Sequence, residues 1–172
     1  STLFPYTTLF RSRDDLEITS SSADGLKLID SNMLIDDGSI IIQGSDGYGI
    51  YADENSNLKI KNILPNFARK AIHVNNNKNG GIYGEGINKI EIENSNVELV
   101  DNKGLVLWNV SLTSNTIIVV QTSGNEDYRN IKFLSKTGNI TGYGNNLTIG
   151  GFSEGINLSS DVFKTIFNGE KL

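Results

Sequence analysis

The chain has 172 residues, enough for one domain with a sizeable core. Its formal net charge of −5 supplies no basic footprint for nucleic acid. It contains no cysteine, which excludes disulfides and thiolate metal sites, and no apolar run approaches the ~18 residues that cross a bilayer.

Asn (22) and Ile (21) dominate, and 18 Gly stand against only 2 Pro. Ile favours a pleated, half-buried surface, while Asn and Gly favour turns. That mixture predicts an all-β chain of many short strands joined by tight turns.

Thr2-Leu3-Phe4-Pro5-Tyr6-Thr7-Thr8-Leu9-Phe10-Arg11-Ser12 resembles, codon for codon, the in-frame translation of a widely used DNA-sequencing adapter. A natural aromatic-rich N-terminus is the alternative, and a signal peptide is not matched because no apolar stretch follows a basic start. Residues 1–12 are therefore expected to be an artefactual, adapter-derived segment, with the fold occupying 13–172.

A short strand is expected at Leu16–Ile18, followed by a Ser-rich turn at Ser20–Ser22. Regular units then run over 25–120, each opened by a Gly-led apolar triplet: Gly25-Leu26-Lys27-Leu28, Gly49-Ile50-Tyr51-Ala52, Gly81-Ile82-Tyr83-Gly84 and Gly104-Leu105-Val106-Leu107. Apolar residues alternate with period two, the mark of a half-buried strand. The first unit reads Leu26/Leu28, Met33/Ile35, Ile40/Ile42, and the second Ile50/Ala52, Leu58/Ile60, Ile72/Val74. The third reads Ile82/Gly84, Ile90/Ile92, Val97/Leu99, and the fourth Leu105/Leu107, Val110/Leu112, Ile117/Val119. Asp36-Asp37-Gly38 supplies a turn in the first unit. Ile63–Lys70, with the only proline outside the adapter-like stretch, lengthens the second.

Three short strands per ~23 residues cannot fold alone, which predicts a stacked solenoid. An antiparallel sandwich remains the alternative, with Asp46-Gly47 and Asn79-Gly80 as its hairpin turns. Ser31-Asn32, Ser56-Asn57, Ser95-Asn96 and Ser114-Asn115 each precede a strand, and stacking predicts that these pairs form a side-chain ladder between units. Over 124–172 the pattern loosens, although Asn146-Leu147-Thr148-Ile149 echoes Asn57-Leu58-Lys59-Ile60 and suggests further coils. No polar cap is evident at the end, so the chain is expected to be part of a longer protein.

In repeat style, as in Gly47-Tyr48-Gly49-Ile50-Tyr51-Ala52 followed by Asn57-Leu58-Lys59-Ile60, residues 16–160 resemble the right-handed parallel β-helix superfamily that includes pectate lyases. The repeats look most like those of bacterial cell-surface proteins, including autotransporter passengers and adhesin regions. The resemblance implies a right-handed, single-stranded parallel β-helix, an extracellular or cell-surface location and polysaccharide or host glycan as partner. Fold alone licenses no activity.

If Ile50 and Ala52 face inward, Tyr51 faces out, as do Lys27, Tyr83 and Val106, with Trp108 two residues on. Tyr51, Tyr83 and Trp108 would form a platform for sugar rings; ordinary β-propensity of a surface strand is the competing reading. Arg69 and Lys70 in the inserted segment, with His73 on the following strand, would meet uronate or sulfate groups. His73 has no partner His or Cys in sequence, so no metal is expected. Asp36-Asp37 matches one motif of polygalacturonase-like helices without the others, and Arg69 and Arg129, the main candidates for a lyase base, belong to no catalytic constellation.

No catalytic residues and no cofactor are expected, nor direct insertion of this segment into a membrane. The expected function is a non-enzymatic stalk or adhesin segment contacting polysaccharide. The alternative is a polysaccharide lyase or glycoside hydrolase whose catalytic coils lie elsewhere, and a purely structural spacer is a third.

Overall fold

The structure, a computed structural model, describes residues 8–11, 15–65, 71–113, 116–121, 131–134, 139–143, 146–150 and 157–158, with side chains over 15–65, 71–112 and 116–120. Every regular element among them is a strand. β1 (Thr8–Arg11) and β2 (Asp15–Thr19) precede a first unit of β3 (Leu26–Leu28), β4 (Asn32–Asp36) and β5 (Ser39–Gln43). The second holds β6 (Tyr48–Ala52), β7 (Asn57–Lys61) and β8 (Ile72–Asn75), and the third β9 (Gly80–Gly84), β10 (Ile90–Glu93) and β11 (Asn96–Val100). β12 (Leu105–Thr113) and β13 (Ile117–Gln121) follow, then β14 (Ile131–Leu134), β15 (Asn139–Tyr143), β16 (Asn146–Gly150) and β17 (Asn157–Leu158).

Within the units each strand pairs in parallel with the strand one unit later, never with its neighbour in sequence. Three ladders result: β3-β6-β9-β12, β1-β4-β7-β10-β12 and β2-β5-β8-β11-β13. β12 joins the first two into one sheet, because Leu105–Trp108 extends β9 while Val110–Thr113 extends β10. The third ladder belongs to a second sheet. Ile40 pairs with Ile72 and Ile72 with Val97, so the second unit is longer than the third. The extra length falls between Ile63 and Ala71, since Ile63 N–H still donates to Ser95 Oγ (3.1 Å) and Asn96 N–H to Ile63 O (3.0 Å).

The inward rows follow from register. Ile40, Ile72, Val97 and Ile118 form one column, and Ile35, Ile60, Ile92 and Leu112 another, all buried. Each such side chain contributes about 1.5–3 kcal/mol relative to exposure. Branched aliphatics repeat down these columns because a parallel ladder sets like positions ~4.8 Å apart, where β-branched side chains pack on one another.

Single left-handed residues turn the chain between strands. Asp37, Asn62 and Asn94 (φ 68°, 59° and 44°) turn it before the third strand, and Gly44, Asn76 and Asp101 (72°, 55° and 53°) after it. Asn, Asp and Gly tolerate this geometry best, and five asparagines adopt it among the described residues.

Several expectations need correction. The four Ser-Asn pairs do not share one ladder. Asn57 Nδ2 donates to Asn32 Oδ1 (2.8 Å), but Ser95 sits at another corner, where its N–H faces Thr116 Oγ1 (3.4 Å); Ser114 and Asn115 lie outside the described residues. In β13 the buried residues are Ile118 and Val120, while Ile117 is 38% exposed. The expected Ile117/Val119 phase is thus one residue off, and such a slip exchanges every face. Leu107, not Leu105, pairs with Ile82, so Val106 is buried and Trp108 takes the outward place beside Tyr83. Asn146–Ile149 is no further parallel rung, because β16 runs antiparallel to both β13 and β15. Thr8–Arg11, inside the adapter-like stretch, lies as an edge strand parallel to β4. A β-prone segment beside an open sheet edge pairs with it whatever its origin.

Candidate functional site

On the outward side of the first ladder, Lys27, Tyr51, Tyr83 and Trp108 are consecutive register partners. The period-two alternation that buries Leu28, Ile50, Ala52 and Ile82 forces this row outward. The tyrosine rings stack: Tyr51 and Tyr83 lie 5.7 Å apart between centroids at 10°, and Tyr48 and Tyr83 4.5 Å apart at 19°. These are offset-stacked distances, worth about 0.5–1.5 kcal/mol per pair beyond burial. Lys27 Nζ stands 5.3 Å from the Tyr51 ring centre and 3.4 Å from Asp24 Oδ2.

Gly80 makes the stack possible. It is the register partner of Tyr48, and a Cβ there would lie 2.9 Å from Tyr48 Cδ1 and 2.1 Å from Leu105 O. The bare backbone lets the Tyr48 ring lean over β9 to reach Tyr83. The Tyr51 hydroxyl donates to Glu85 Oε2. That bond, followed by partial burial, pushes the Tyr51 phenol above its ordinary value, since ionisation would set two negative charges together. The Tyr48 phenol is also raised, first by burial and then by Tyr83 and Asp24.

A second feature occupies the other sheet. Pro65, Ala71, His73, Asn96, Val97, Glu98, Ile117 and Val119 line an open groove of about 290 Å³. His73 and Glu98 are register partners, with Nδ1 and Oε1 3.8 Å apart. The carboxylate beside His73 opposes recognition of an anionic sugar at this point. Among the described residues no group of three or more His, Asp or Glu side chains is arranged to hold a metal ion.

The structure thus gathers Tyr51, Tyr83 and Trp108 on one ladder and sets His73 apart on the other sheet. Arg69, Lys70 and Arg129 lie outside the described residues. Sequence reasoning missed Tyr48, Glu85, Asn96 and Glu98. The signal for Tyr48 was the glycine at 80: a strand aromatic opposite a glycine fills the vacated space. The signal for Glu98 was the matching alternation of Ile72/Val74 and Val97/Leu99, which sets His73 and Glu98 at the same place in successive third strands.

No family model, curated protein or solved structure matches the chain.

Proposed function

We propose that the chain is a right-handed parallel β-helix, three strands to a coil, that serves without catalysis as a stalk or adhesin-like segment of a bacterial surface or secreted protein and contacts polysaccharide through its aromatic row. Three parallel ladders stepping one unit at a time support the solenoid, since successive strands then belong to different ladders. Right-handedness rests on the strong chirality of parallel crossover connections.

The single observation that carries the binding reading is the registered row Lys27–Tyr51–Tyr83–Trp108. Stacked rings partly shield one another's faces. A sugar chain lying along the ladder therefore meets ring rims and hydroxyls, with Lys27 and Glu85 beside them as charged hydrogen-bonding groups. Spacing by whole units suits a repetitive polymer better than a small compact ligand.

Affinity electrophoresis through gels containing pectin or another bound polysaccharide tests this. The wild type is retarded, and Tyr51→Ala, Tyr83→Ala and Trp108→Ala each weaken retention about two- to tenfold. Undiminished retention after all three changes would sink the aromatic row as the contact. New unsaturated or reducing ends during incubation would replace the non-enzymatic reading with a lyase or hydrolase.

A further inference from the structure

We propose that the tyrosine stack is also an oxidative modification site, at which a one-electron oxidant couples Tyr51 to Tyr83 as dityrosine and staples two consecutive units covalently. Tyr51 and Tyr83 are direct register partners with near-parallel rings 5.7 Å apart, and neither is fully buried. Their ortho carbons need only side-chain rotation to meet. Tyr48 is nearer to Tyr83, but among the described residues its hydroxyl has no hydrogen-bond acceptor. Tyr51 has Glu85. When an electron leaves Tyr51, its phenolic proton has a carboxylate already in place to receive it.

Competing sinks are scarce. The chain has no cysteine and one methionine, Met33, which is partly buried against the core. Trp108 stands beside Tyr83 on the same row, so an electron vacancy formed there has a neighbouring tyrosine to pass to.

The balance is simple. Each phenol gives up one electron and one proton, the Tyr51 proton to Glu85 and the Tyr83 proton to water. The two phenoxyl radicals join through one ortho C–C bond, and the hydrogens on the joined carbons move to the oxygens to restore both rings. The net loss is two hydrogens, which reduce one hydrogen peroxide to two waters when a peroxidase is the oxidant.

Trypsin separates the partners, leaving Tyr51 in the peptide Leu28–Lys59 and Tyr83 in Asn79–Lys89. The intact chain, dilute and without polysaccharide, is treated with a peroxidase and hydrogen peroxide and then digested. The outcome is thereby independent of the glycan reading. The expected product is those two peptides joined with loss of two hydrogens, at a yield that does not change with protein concentration. Tyr83→Phe and Tyr51→Phe abolish it, Tyr48→Phe keeps it, and Glu85→Gln slows it with no change in circular dichroism. The cross-linked chain melts about 5–10 °C higher, as expected for a covalent loop closure. Coupling spread evenly over Tyr6, Tyr128 and Tyr143, coupling that scales with concentration, or an undiminished yield from Tyr51→Phe would overturn the proposal.

Discussion

At the corner after the third strand Asn77 and Asn102 stack out of solvent, whereas at the corner before it Asp36, Asn62 and Asn94 stack in contact with water. The bonds look alike. Asn77 Nδ2 donates to Asn102 Oδ1 at 2.8 Å, and Asn62 Nδ2 to Asp36 Oδ1 at 2.8 Å, with Asn94 Nδ2 donating in turn to Asn62 Oδ1 at 3.0 Å. Only at the buried corner do the amides also satisfy the backbone: Asn102 Oδ1 accepts Asn77 N–H, Asn102 Nδ2 reaches Val74 O, and Asn77 Oδ1 accepts Ser45 N–H. Water replaces a lost partner at the exposed corner and cannot at the buried one. The same residue type therefore carries fold stability in one place and mainly turn geometry in the other.

Asn102→Ala should show the largest effect, about 3 kcal/mol of lost stability by denaturant titration, because it strands buried groups of Asn77 and Val74. A loss under about 1 kcal/mol would erase the distinction between the corners.

The corner between the first and second strands holds a carboxylate and therefore responds to pH. There the Asp53 carboxylate accepts Ser56 Oγ–H (2.6 Å) and the N–H groups of Asn55 (3.2 Å) and Asp30 (3.3 Å), while Ser56 Oγ accepts Ser31 N–H (3.0 Å). The Ser56 bond first, then those backbone donors, hold Asp53 below its ordinary 3.8 against the opposing effect of burial. A carboxyl lowered on folding adds stability that is complete above 3.8 and disappears as pH falls through the lowered value. Thermal melts of Asp53→Asn across that acid range should be flatter than wild type, and an unaltered acid limb would remove Asp53 from the account. The smallest effect belongs to the exposed corner. Asn62→Gly keeps a residue suited to φ 59° and should change stability by no more than about 0.5 kcal/mol.

These corners also mark where the sequence was legible. Inward columns such as Ile35–Ile60–Ile92 could be read from alternation, because a strand needs only its own residues to show period two. Asp37-Gly38 was readable as a turn for the same local reason. Which unit faces which was harder, since register depends on where extra residues go. Ser95 resembles Ser56 in sequence but follows the second strand instead of the first. In β12 Leu105 already pairs with Gly80, so Gly104 is not the counterpart of Gly81, and counting from Gly104 assigned Val106 the place of Trp108. Of the candidate site, Tyr51 and Tyr83 were visible as matching triplets, while Tyr48 and Glu85 join them only through packing across units.

Engineered cysteine pairs read out the parallel register, in a chain that has no cysteine of its own. Lys59 and Glu91 are partners across the unit lengthened by residues 64–70, whereas Lys59 and Glu93 are two residues out of step. Partner Cα atoms in a parallel pair lie ~4.8 Å apart and out-of-step ones about 8 Å, beyond the reach of an unstrained disulfide. Under mild copper-phenanthroline oxidation, Lys59→Cys with Glu91→Cys should form an intramolecular disulfide much faster than Lys59→Cys with Glu93→Cys. Equal rates, or a faster Lys59–Glu93 pair, would contradict the stacked register on which the aromatic row depends.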